Sequence, residues 1–196
     1  MRRPTPTRPA TPPADDDLAV ALSAAQDGDP HAFATLWRAL QPAVLRYLRV
    51  VIPDHAEDTA SETWLQAIRD LDRFRGDLPA FRGWLFRIAR HRALDEHRRR
   101  RPASAVAADR VVPDAATAYL EEQNTAWALR MIATLPIDQA EAVTLRVVAG
   151  LDVRTTADIL GKRPGAVRIA TMRGLRRLAT HPQVNARTSP GTAEEV

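Results

Sequence analysis

Eight arginines crowd the stretch FRGWLFRIARHRALDEHRRRR, residues 81–101, around Phe81, Trp84, Leu85, Phe86, Ile88 and Leu94. Guanidinium groups make charge-assisted, often bidentate hydrogen bonds to phosphate or carboxylate oxygens. Aromatic rings offer faces on which an unpaired base can stack. The mixture suits an anionic membrane surface, a nucleic acid or plain solvent. A membrane-surface helix keeps its charges on one side, whereas Arg82, Arg87, Arg90, His91, Arg92 and Arg98 spread widely around the helix. The last arginines, Arg98 to Arg101, also read as a solvated end.

A second basic stretch, TADILGKRPGAVRIATMRGLRRL (156–178), has the spacing of a helix-turn-helix. Ala157 is small where two helices must approach, and Ile159 and Leu160 supply core. Gly161 can take the left-handed turn that ends the first helix. Val167, Thr171 and Leu175 are read as inward. Lys162, Arg163, Arg168, Arg173, Arg176 and Arg177 then point outward, where a recognition helix meets base edges and phosphates. An ordinary three-helix bundle with solvated arginines is the competing reading.

Other chemistry is missing. His91 and Asp95 lie four apart and His97 is near, but a metal site needs more ligands and fixed partners behind them. There is no glycine-rich phosphate loop and no nucleophile elbow. No cysteine is present, which excludes disulfides, thiolate metal sites and a cysteine nucleophile. No catalytic residue, metal or cofactor is expected, so the chain reads as a non-enzyme.

The charge distribution fits binding. The chain has 196 residues and a net charge of +4. Residues 31–101 hold 14 basic against 9 acidic groups, and residues 123–181 hold 9 against 4; between them residues 102–122 hold 1 against 4. Two basic blocks separated by an acidic strip are how two polyanion-binding domains on a linker read. Lys162 is the only lysine, so the arginine bias of the whole chain weakens any argument from arginine identity alone. The N-terminus lacks the roughly 7–15-residue apolar stretch of a secretory signal, and a cytoplasmic location is expected.

These groups must be positioned by helices, since no segment alternates with period two. Asp29-Pro30 is a start signal, and Phe33, Leu36, Trp37, Leu40, Val44, Tyr47, Leu48 and Val51 line the face that follows, with Pro42 expected to bend it. A helix over 55–71 puts Ala60, Trp64, Ile68 and Leu71 inside. Its other face carries Asp58, Glu62, Leu65 and Arg69, an acidic strip with a leucine in it. After RGDLP (75–79) comes the arginine-rich helix. Leu120, Trp127, Met131 and Leu135 step round the next helix, and Pro136 opens another that ends at Gly150. The expected fold is all-α: two small helical domains joined by a flexible linker, the second a helix-turn-helix. The expected boundaries are a disordered tail to residue 26, a first domain over 27–101, a linker over 102–119, a second domain over 120–181 and a disordered tail from 182.

From about Asp27 to His181 the chain resembles the extracytoplasmic-function sigma factors, the smallest class of bacterial sigma subunit. GDPHAFATLWRALQPAVLRYLR resembles the family's first conserved helix, and AEDTASETWLQAI its polymerase-docking motif. FRGDLPAFRGWLFRIARHRALDEHRRR resembles the promoter-melting segment, and the stretch from Leu135 to Leu178 the C-terminal helix-turn-helix domain.

The resemblance implies a promoter-specificity subunit. Arg75, Phe81, Arg82, Trp84, Arg87, Arg90 and His91 would engage single-stranded −10 DNA, with residues 75–81 shaping a pocket for a flipped base. The outward residues of the helix-turn-helix would hold −35 duplex and the domain a polymerase flap. Asp58, Glu62, Leu65 and Arg69 would dock on the clamp helices of core RNA polymerase. The linker would run towards the RNA exit path, and an anti-sigma factor is a possible further partner. Trp84 fits core packing equally well. This sequence departs from the family pattern at Ser61, Thr156 and Lys162. Ile169-Ala170 also replaces a frequent polar–basic pair, which shifts base contacts towards Arg163, Arg168 and backbone amides. The runner-up is a stand-alone helix-turn-helix regulator, which leaves the acidic face idle; a peripheral membrane protein leaves the helix-turn-helix idle.

Overall fold

The computed structural model describes residues 14–99 and 119–188. The expected linker lies outside these residues as far as Tyr119. Among the described residues every regular element is helical, as the periodicity requires. Asp15, Asp16 and Asp17 fill the first turn of α1 (Asp15–Gln26), where negative charge offsets the helix dipole. Leu18, Ala21, Leu22 and Ala25 are buried at helical spacing. This corrects the expectation of disorder up to residue 26: a short apolar stripe is enough once α2 (Pro30–Val51) is there to cover it. Asp29 caps α2, its carboxylate accepting from the amides of His31 at 2.8 Å and Ala32 at 3.3 Å. Such a cap contributes about 1 kcal/mol. The helix runs on through Pro42.

α3 (Ala56–Asp70) and α4 (Leu78–Arg99) complete the first half. Leu36, Val44, Leu48, Ala60, Ala67, Phe81, Leu85 and Ala89 close its core. Trp64 stands edge-on to Phe33 and donates its indole N–H to Gln41 at 2.5 Å.

In the second half, α5 (Tyr119–Ala133) leads to α6 (Ile137–Val143), which continues as a π-helical turn to Val148. α7 (Val153–Leu160) and α8 (Pro164–Ala179) form the helix-turn-helix. Gly161 between them sits at φ 64°, the left-handed turn expected of it. Asp152 caps α7, and hydrogen bonds from the Thr155 hydroxyl and amide hold its carboxyl below the usual range. The cap is therefore intact above that range and is lost as acid protonates it. Thr156 is fully buried and satisfied by donating to the Asp152 carbonyl at 2.8 Å.

Two expectations are corrected here. Residues 182–188 form α9 (Pro182–Thr188). Leu175 is 43% exposed and Gly174 is buried in its place; a Cβ at Gly174 would come within 2.7 Å of Val143 Cγ2, so α6 approaches α8 too closely for a side chain there.

The two halves share one core. Ala142, Leu145, Leu151, Ala157, Ile159, Leu160 and Val167 belong to the same buried cluster as the residues of α1 to α4. Val50 of α2 joins a second cluster with Leu129, Ile132, Leu135, Ala140 and Val143. At the α4–α7 contact a Cβ on Gly83 would stand 2.6 Å from Thr155 Cγ2. Periodicity within each half could not show this packing.

The glycines of α8 provide a test. Gly174→Val should lower stability by about 1–3 kcal/mol, because overpacking has no room to relax. A Cβ at Gly165 meets nothing within 4 Å, so Gly165→Ala should raise stability by roughly 0.5–1 kcal/mol through helix propensity. Denaturant unfolding of the two variants measures the contrast.

Candidate nucleic-acid interface

α4 divides its arginines among different partners. Arg87 and His91 are one turn apart and both exposed, and the same row continues through half-buried Leu94 to exposed Arg98. Arg90, His91, Leu94, Asp95 and Arg98 line an open depression of about 300 Å³. Arg98, although at the end of α4, is seven residues from His91 and eleven from Arg87, a spacing that puts it on their row. Arg92 is engaged elsewhere, donating through Nε and Nη2 to Gln66 Oε1 at 2.9 and 2.7 Å.

The remaining residues expected at −10 DNA are placed differently. Arg90 is turned inward: its Nε donates to Glu141 Oε1 of α6 at 2.9 Å. The Tyr47 hydroxyl of α2 donates to the same oxygen at 3.0 Å. Burial, then the charge of Glu141, pushes the Tyr47 phenol well above its ordinary value, so it stays a neutral donor. Arg82 pairs with Asp15 at 2.6 Å, and its guanidinium holds the Asp15 carboxyl below the usual range. Arg75 donates to the carbonyls of Asp72 at 2.6 Å and Phe74 at 2.8 Å, bracing the loop before α4.

Phe81 is fully buried and edge-on to Phe74, with ring centroids 5.5 Å apart, so its own ring has no exposed face for a base. Trp84, half-buried, leans on Phe74 at 5.2 Å and Phe81 at 5.6 Å. The aromatic groups of this stretch pack mainly on one another, and its polar chemistry is left to Arg87, His91 and Arg98, the last lying 3.6 Å from Asp95 one turn back in an exposed pair.

On α3, Asp58 and Leu65 face outward, Leu65 at 60% exposure. Glu62 lies 3.9 Å from Arg99, and Arg69 donates back to the Leu65 carbonyl at 3.1 Å. Ile68, expected in the core, is 52% exposed and joins Leu65 on the same side. The reason is that Ala60, Thr63 and Ala67 are the residues turned inward. Their small size at i, i+3 and i+7 was the signal available in the sequence.

Arg163, at the N-cap of α8, and Arg168, Arg173, Arg176 and Arg177 on it are exposed. Among the described residues no carboxylate lies in ion-pair contact with any of them. Lys162 is the exception: its Nζ lies 2.7 Å from Asp138 of α6, an ion pair that ties the turn to α6. Ile169 and Met172 lie exposed between the arginines.

A family model described as Sigma-70 region 2 matches residues 36–103, and one described as Sigma-70, region 4 matches residues 125–178. The chain is 33% identical over 183 residues to the ECF RNA polymerase sigma factor ShbA of Streptomyces griseus, covering 84% of this chain and 96% of that protein. In fold it is similar to CnrH, solved with the cytosolic domain of CnrY, at a TM-score of 0.61 and 22% identity over 87% of this chain and 99% of that one. It is also similar to RpoE of Bartonella quintana, solved with the anti-sigma factor NepR, at 0.59 and 23% over 81% and 98%.

The Arg90–Glu141–Tyr47 contact gives a direct prediction. Glu141→Ala leaves a largely buried guanidinium and a buried hydroxyl without their acceptor, and should destabilise the closed arrangement by about 2–4 kcal/mol. Tyr47→Phe should cost only about 1 kcal/mol. Chemical denaturation gives the stabilities, and small-angle scattering should show Glu141→Ala more extended than the parent.

Proposed function

The chain belongs to the extracytoplasmic-function class of RNA polymerase sigma factors, and we propose that it directs promoter-specific initiation with three separate surfaces. In this reading Asp58, Glu62, Leu65 and Ile68 of α3 dock on the clamp helices of core polymerase. Arg87, His91 and Arg98 of α4 hold the phosphates of the unpaired −10 strand, so that the melted state is favoured. Arg163, Arg168, Arg173, Arg176 and Arg177 of α8 hold −35 duplex, and the same half meets the polymerase flap. The protein itself performs no catalysis and works in the cytoplasm, where polymerase is; among the described residues no helix is long and apolar enough to cross a membrane.

Arg90 enters this scheme only when the two halves part, because Glu141 occupies it in the closed arrangement. Arg75 and Arg82 act indirectly, by bracing the loop and α1. Trp84 contributes packing. An anti-sigma factor is a further partner in this proposal, and the Leu65–Ile68 surface is a place it could cover.

The observation that carries the reading is the exposed Leu65–Ile68 pair set among acidic residues on α3, a helix that carries neither basic face. A stand-alone DNA-binding regulator has no use for it, whereas a subunit that must dock on a basic, partly apolar surface does. Replacing Glu62 by Lys and Leu65 by Ser together should abolish association with core polymerase while leaving the fold intact, since neither side chain is buried. Co-purification with core polymerase is the measurement, and undiminished association would refute the docking assignment.

The basic faces are tested separately. Arg168→Ala, and Arg163→Ala less strongly, should weaken −35 duplex binding, by about 1–3 kcal/mol if a base contact is lost. Arg87→Ala with His91→Ala should instead impair capture of single-stranded −10 DNA by the holoenzyme and opening of a paired promoter. A template already mismatched over the −10 region should recover part of the lost transcription.

A further inference from the structure

The side of α8 farthest from the core carries two exposed apolar residues ahead of Arg176. Val167 and Gly174 are buried and Ala170, Thr171 and Leu178 half-buried, which defines the inward stripe. At about 100° per residue, the row diametrically opposite runs Gly165, Ile169, Met172, Arg176. Ile169 is 48% and Met172 42% exposed. Arg168 flanks this ridge on one side and Arg173 on the other. A Cβ at Gly165 would meet nothing within 4 Å, so the start of the ridge is open to a close approach.

An isoleucine and a methionine on the outermost line of a helix gain nothing from water. They also cannot bind phosphate, and they offer base edges no strong donor or acceptor. When a helix enters the major groove, its outermost row reaches the base edges while the flanking rows face the two phosphate walls. The apolar group that base pairs present in that groove is the C5 methyl of thymine. We propose that Ile169 and Met172 are specificity residues that read thymine methyl groups in the −35 duplex, with Arg168 and Arg173 holding phosphate on either side. The arginine flanks favour a polyanion over a protein as occupant. The proposal rests on the reading of α8 as the −35 recognition helix.

It is tested with holoenzyme reconstituted from core polymerase and the full chain. A −35 duplex is selected from a randomised library, and each thymidine in it is replaced singly by deoxyuridine, which removes only the methyl. At one or more positions the wild-type protein should bind the deoxyuridine duplex roughly three- to tenfold more weakly. Ile169→Ala or Met172→Ala should bind the thymidine duplex at about that reduced level and no longer respond to deoxyuridine there. Both side chains are exposed, so both variants should keep the parent's melting temperature. Arg168→Ala should bind more weakly but still respond to the methyl.

The inference is overturned if deoxyuridine changes nothing at any position, or if the response persists in full in both apolar variants. It is overturned equally if those variants bind DNA normally and lose only core polymerase, which would make the ridge a protein contact. If Arg163→Ala and Arg168→Ala also leave duplex binding unchanged, the recognition-helix reading falls with it. If the arginines matter and the methyl does not, only the present inference falls.

Discussion

One carboxylate joins the halves of this molecule. Glu141 of α6 accepts from Arg90 of α4 and from Tyr47 of α2, so three helices from both halves meet at a single oxygen. Its surroundings are largely dry: Tyr47 is fully buried and the Glu141 side chain is 9% exposed. In such a place the charge is tolerated only while both donors are present. Phe86 stands edge-on to Tyr47 at 5.8 Å, which fixes the phenol in line with its acceptor. Gly83 lets α7 close on α4 beside it. The shared core depends on this arrangement, since the two halves can bury apolar surface together only if the polar groups between them are satisfied.

The contact also sorts the basic residues. Those that the closed arrangement uses for itself are Arg90 towards Glu141, Arg82 towards Asp15, Arg92 towards Gln66 and Lys162 towards Asp138. Exposed groups left to other partners are Arg87 and His91 on α4 and the arginines of α8. A net positive charge thus divides into structural cations and binding cations. The division follows a simple rule: a cation within reach of an internal acceptor is held by it, because a half-desolvated charge is costly to leave unmatched. An exposed arginine retains its hydration until a polyanion displaces it.

Much of this was legible from residue order. Asp29-Pro30, Gly161 and the apolar rows of α2, α4 and α7 act locally, and local chemistry can be read along the chain; Trp37, expected in the α2 row, departs from it at 42% exposure. The helix-turn-helix was visible because its turn, its small Ala157 and its inward Val167 are fixed by spacing. The errors have a common cause. Ile68 and Leu175 were placed inward because large aliphatic residues usually are, yet at both places small residues occupy the contact and let helices come closer. Phe81, expected among the residues shaping a pocket for a base, is packed inside against Phe74, seven residues earlier. The first helix was overlooked because its stripe of two leucines and two alanines is too small to announce a core element without the partner that buries it.

The sequence by itself determined the helical class, the helix ends marked at Asp29-Pro30 and Gly161, and the positions of the basic and acidic faces. Each of these depends on neighbours within about one or two turns, where backbone geometry leaves few choices. It could not determine which arginines are free, since that depends on acceptors far away in the chain, such as Glu141 for Arg90 and Asp15 for Arg82. Nor could it show that Ile169 and Met172 lie on the outermost row of α8, because that row is defined by which residues the rest of the molecule buries. Tertiary structure decided both, through burial and the need to match every buried charge.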